Sequence, residues 1–221
     1  MADEPINAWS AERSRARWTG FLLFGCLALH VAAIISAIER PTLPGGVAAA
    51  AALPPAAAAS VVRHAGLEVL QLLAFIATGI VWLLWLHQAY RNLRLVGTKR
   101  SRFTARWAVG YWFVPFLNFV RPYQVVKELW QRSESLNDRD SFTGLPAPAL
   151  LPWWWGTYLT GLFGRMQATL ALGARSLHEP STVTDATIVG DAAGVVAAVL
   201  AIMVVRGISG HQQLFQAEPD A

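Results

Sequence analysis

Twenty-one consecutive residues, Trp18 to Ile38 (WTGFLLFGCLALHVAAIISAI), contain no Asp, Glu, Lys or Arg. Nothing else in the chain restricts its fold as much. Three further apolar runs follow: 65–86 with one early acid, Glu68; 151–172 with Arg165; and 186–205 with Asp191, closed by Arg206. Runs of about 20 apolar residues match, as helices, a hydrocarbon core about 30 Å thick. A secretory signal has an apolar region of only ~7–15 residues, so the first run reads as an anchor that stays in the chain. Charged residues make up 14% of the sequence, against roughly 25% in soluble domains. The expected fold is an all-α membrane protein with four transmembrane helices. They lie in one membrane domain, 18–206, between short disordered cytoplasmic tails at 1–17 and 207–221. The lone Cys26 excludes an intrachain disulfide and a cysteine-based zinc site.

The segment 107–120 (WAVGYWFVPFLNFV) is apolar but short: as a helix its 14 residues would reach about 21 Å. Pro115 and Pro122 bracket Asn118, which predicts a helix broken near its deepest point. A re-entrant or in-plane element fits if its broken backbone is buried against other helices, and it leads into an amphipathic helix from Pro122 to Ser133. A kinked fifth span is the alternative. Charge separates the two. Four spans with a cytoplasmic N-terminus put 14 of the 18 Lys and Arg inside and 3 outside, with Arg165 within a span; a fifth crossing makes the split 10 to 7. The excess of basic residues on the cytoplasmic side favours four spans. The Ala- and Pro-rich stretch 41–60 reads as an external loop, because Pro54 and Pro55 interrupt any continuous helix.

The stretches WLHQAYRNLRLVG (85–97) and RWAVGYWFVPFLNFVRPYQVVKELWQRS (106–133) resemble the bacterial membrane family called domain of unknown function 4328. His87, Tyr90, Arg91 and Asn92 carry the likeness in the first. Trp107, Gly110, Trp112, Pro115, Asn118, Pro122, Glu128 and Trp130 carry it in the second. With the flanking spans it covers roughly residues 20 to 210; the Ala/Pro-rich loop and the tails have no counterpart. The resemblance implies a bacterial multi-pass membrane protein and supplies no catalytic residue; the charge distribution places it in the cytoplasmic membrane with both termini cytoplasmic.

Three constellations remain as candidate sites. Arg165 and Asp191 are charges well inside their spans, at depths that nearly coincide when the two helices run antiparallel. An unpaired charge there costs at least a few kcal/mol, which predicts an ion pair. Glu68 and His30 reach the same half, so the four form a candidate polar cluster for proton or ion movement; the bland alternative is that the pair locks two helices. Small residues at four-residue spacing, Gly156, Thr160, Gly164 and Ala168 against Ala186, Gly190, Gly194 and Ala198, predict close packing of the third and fourth spans. Finally Arg91, Arg94, Lys99, Arg100, Arg102 and Arg106 form a basic rim free of acids. Such a rim sets topology, and it also suits anionic lipid headgroups or an acidic partner.

No Walker loop, nucleophile elbow or zinc-protease motif is present, and no nucleic-acid recognition motif accompanies the net charge of +4. His30 and His87 sit at different depths, which argues against shared haem ligation, and His64, His178 and His211 fall in loops or the tail without metal-ligand spacing. No enzyme, metal or cofactor is expected. Two functions stay open: a scaffold or accessory subunit, with a protein partner or a second copy of itself, and a small transporter or channel using the polar cluster.

Overall fold

A computed structural model describes residues 3–39, 54–95, 101–136, 147–173 and 180–217. All regular structure among them is helical: α1 Asp3–Ile38, α2 Pro55–Leu95, α3 Ala105–Gly110, a 3₁₀ turn Leu117–Phe119, α4 Arg121–Ser135, α5 Leu150–Gly173 and α6 Pro180–Ala217. Among the described residues, three helices are long and apolar enough to cross a membrane, over Ser10–Ile38, Ala58–Leu93 and Ala186–Phe215. The 24 residues of α5 are also long enough to cross, and they include Arg165 and Gln167.

Helix starts follow local chemistry. Pro55 and Pro180 open α2 and α6, and Pro122 lies in the first turn of α4, positions where a missing N–H costs nothing. Thr104 caps α3, its hydroxyl accepting from the Trp107 N–H at 3.3 Å. The helices run further than the apolar runs. Residues 3–17 and 207–217, read as disordered tails, are helical turns of α1 and α6, because Glu12, Ser209 and Gln212 have buried partners there. Similarly α2 takes up residues 55–60 of the expected loop, while 41–53 lie outside the described residues.

The chain forms two compact units. One holds Met1–Leu23, Ala77–Trp155 and Leu200–Ala221; the other holds Phe24–Ile76 and Gly156–Val199. In the first unit Trp82, Trp85, Trp112, Trp154 and Trp155 make one aromatic cluster, with Trp82 stacked on Trp154 at 5.4 Å. Trp82, Trp85 and Tyr90 close the second apolar run, a position that suits a headgroup belt, yet all three are buried. Residues 107–120 contain no helix long enough to cross a membrane: α3 ends at Gly110, and turns lead to the 3₁₀ element. The break precedes Asn118, at residues 111–116. Trp155 Nε1 donates to the Phe119 carbonyl at 2.9 Å, and the Tyr90 hydroxyl donates to the Val125 carbonyl on the following α4 at 2.8 Å. On α4, Pro122, Val125, Val126, Leu129 and Ser133 are buried, one helical face.

Polarity is distributed in the sense opposite to a water-soluble fold. In the first unit Glu12, Asn92 and Gln212 are buried while Phe21, Ile80 and Met203 are exposed. In the second, Gln71 and Asp191 are buried while Val31, Leu73 and Ile76 are exposed. Apolar side chains point out, as a hydrocarbon solvent requires.

A candidate polar site among the apolar helices

Asp191, nearly inaccessible on α6, is the centre of the second unit's polar group. Its Oδ1 lies 2.8 Å from His30 Nδ1 on α1 and 3.1 Å from Gln71 Nε2 on α2. Arg165 Nη1 on α5 stands 3.7 Å from the same oxygen, the long end of ion-pairing range. One carboxylate thus meets a donor from each of the three other long helices. Gln71 also donates to the Leu29 carbonyl at 3.4 Å, one residue before His30.

Glycines make the approach possible. A Cβ on Gly194 would sit 2.6 Å from His30 Cε1, so the imidazole rests against bare α6 backbone one turn beyond Asp191. A Cβ on Gly164 would fall 2.8 Å from the Cα of Gly190, with the Ala186 carbonyl at 3.3 Å. A Cβ on Gly161 would lie 3.3 Å from the Gly190 carbonyl oxygen and 3.4 Å from the Gly194 amide nitrogen.

The expected stripe on α5 therefore needs correction. Gly164 is in the contact, but Gly156 has nothing within 4 Å, and Thr160 is exposed, its hydroxyl turned back to the Gly156 carbonyl. The side chain of Ala168 lies outside the described residues. Gly161 takes the place of Thr160 because the contact row on α5 follows three-residue spacing, which also runs along one helix face. On α6, Gly190 and Gly194 contact α5 and Ala198 is buried.

Glu68 lies 3.5 Å from His64, one turn earlier on the same helix. His64 is a buried residue of α2 with Ser36 Oγ 3.3 Å away, not a loop residue, and His211 lies on α6 against Trp130. Gln71 went unrecognised, although an amide three residues past Glu68 in an apolar run was a usable signal.

A second buried polar group lies in the first unit. Glu12 Oε1 accepts from Ser209 Oγ at 2.6 Å and from Trp85 Nε1 at 2.9 Å, and its Oε2 has no hydrogen-bond partner. Gln88 donates to Asn92 at 3.1 Å and Gln212 to Ser133 at 3.1 Å. Glu12 directly precedes Arg13, Arg15 and Arg17 in the sequence, where nothing local signals its burial.

Of the basic rim, Arg91, Arg102 and Arg106 are exposed; Lys99, Arg100 and the side chain of Arg94 lie outside the described residues. Pro115 is exposed, Pro122 buried, and the Asn118 Oδ1 buried without a hydrogen-bond partner. Among the described residues no group of three His, Cys, Asp or Glu is placed to hold a metal ion. The family model described as Domain of unknown function (DUF4328) matches residues 49–210. No curated protein and no solved structure matches the chain.

Proposed function

The chain belongs to the DUF4328 family, and from that premise we propose a scaffold or accessory subunit of a bacterial cytoplasmic-membrane complex, with no enzymatic activity. In this reading α5 is a fourth span, both termini are cytoplasmic, and the segment 107–120 enters and leaves the membrane on the cytoplasmic side. The observation that carries it is the Asp191 node. His30, Gln71 and Arg165 all converge on one carboxylate oxygen, an arrangement suited to locking four helix segments. A polar path for a solute would instead need donors and acceptors repeated along the helices.

One observation favours transport as a second reading. The His30–Asp191 contact at 2.8 Å joins two titratable groups inside apolar helices, and such pairs occur in proton relays. Purified protein reconstituted in liposomes separates the two. The scaffold reading expects proton leak at the level of protein-free vesicles and a protein partner that stays bound through mild-detergent purification. Proton flux abolished by Asp191→Asn would overturn it. Impermeant thiol labelling of a Cys26→Ser, Asp140→Cys variant tests the topology: labelling from the periplasmic side removes the re-entrant element.

A further inference from the structure

In the first unit two guanidinium groups converge on one aromatic ring. The Arg102 Cζ lies 5.6 Å from the Phe103 centroid and the Arg121 Cζ 6.0 Å, with Arg121 also 5.6 Å over Tyr111. Phe103, Tyr111 and Trp107 form a continuous platform, with ring separations of 5.7 and 5.2 Å. A guanidinium stacked on a ring keeps its N–H edge available for a planar or phosphate oxyanion. Arg106, exposed on α3, adds a third cation.

This charge is not compensated from within the described residues. Of their ion pairs, none involves Arg102, Arg106 or Arg121. The nearby acid, Glu128, is taken by Arg132 at 2.7 Å and by the backbone N–H of Arg102 at 2.6 Å. Arg121 itself donates only to the neutral Gln124, at 3.0 Å.

Beside the cations the chain exposes apolar side chains. Phe113 is 72% exposed, Phe116 84% and Val120 53%. Phe116 has φ 64°, the described non-glycine residue with positive φ. That backbone region is unfavourable for a residue with a Cβ, and here it turns the most exposed ring of the segment outward.

We propose that α3, the turn after it and the start of α4 bind one anionic phospholipid. Arg102 and Arg121 hold its phosphate, and Phe113, Phe116 and Val120 take its acyl chains. The occupant is chosen by chemistry: uncompensated cations beside exposed aromatic and aliphatic groups match a molecule that is anionic at one end and hydrocarbon at the other. The inference rests on the membrane reading and adds a specific ligand to it.

The test uses the full-length protein in neutral detergent, titrated with phosphatidylglycerol or phosphatidylcholine and read by native mass spectrometry. Phosphatidylglycerol should bind at least tenfold more tightly. Each Arg→Gln at 102 or 121 should weaken it about fivefold, the worth of one basic group near an anionic surface, while Arg63→Gln leaves it unchanged. Phe113→Ser with Phe116→Ser should weaken both lipids alike, with thermal melting confirming that each variant is folded. Equal binding of the two lipids, retained affinity in the double arginine variant, or displacement by equimolar inorganic phosphate would overturn the site. Extraction of the protein from membranes by alkaline carbonate overturns the membrane reading and the lipid site together; retention without lipid preference overturns the lipid site alone.

Discussion

Replacing Asp191 by alanine removes the one acceptor on which His30, Gln71 and Arg165 converge. Breaking a buried ion pair by deleting one partner costs about 3–5 kcal/mol, because the other charge stays behind uncompensated. Arg165 is one-third exposed and can turn its head outward, which reduces that cost. Hydrogen bonds between membrane helices average about 0.6 kcal/mol, so the two lost to His30 and Gln71 add about 1 kcal/mol. A total near 3 kcal/mol results, and for a chain of this length roughly 2–4 °C per kcal/mol places the fall in melting temperature at about 6–12 °C. Asp191→Asn keeps the shape and an acceptor oxygen for His30 and Gln71, losing only the weak 3.7 Å contact with Arg165. Its cost should stay near 1 kcal/mol, the upper range for an exposed ion pair. Thermal unfolding in detergent, followed by intrinsic tryptophan fluorescence, measures both. The reasoning is refuted if the alanine variant melts within 2 °C of the unmodified protein, or if asparagine is as damaging as alanine.

Three further outcomes follow from the packing. Gly164→Ala places a methyl 2.8 Å from the Gly190 Cα, backbone that cannot step aside, and should cost about 1–3 kcal/mol by melting; Gly156→Ala, with open space around it, should be neutral or stabilising. Gly207→Ala meets the Trp130 ring at 2.3 Å and should displace it, changing tryptophan emission, while Gly210→Ala has nothing within 4 Å and should leave the spectrum unchanged. Glu12→Ala strips an acceptor from Trp85 and Ser209 and should lower stability by about 1–3 kcal/mol; Glu12→Gln, which retains an acceptor oxygen, should cost less in the same melting assay.

What local sequence determines here is the helical character and the solvent. Long charge-free runs leave a backbone in hydrocarbon no partner except its own helix, so an apolar helical chain was legible from Trp18–Ile38 alone. The broken segment 107–120 was legible too, because its length and Pro115 deny it a continuous crossing. Partners were not. Asp191 announced a need for compensation, but whether His30, Gln71, Glu68 or Arg165 supplied it depended on helix rotation, which apolar surfaces in lipid leave undefined. The close contact that sets this rotation runs through Gly161 and Gly164 against Gly190; a glycine marks where backbones can meet, and only the packed structure decides which ones do. The burial of Glu12, Trp85 and Tyr90 is beyond local sequence for the same reason. Their burial comes from residues more than 30 positions away in the chain, so no local pattern distinguishes them from side chains facing water or headgroups.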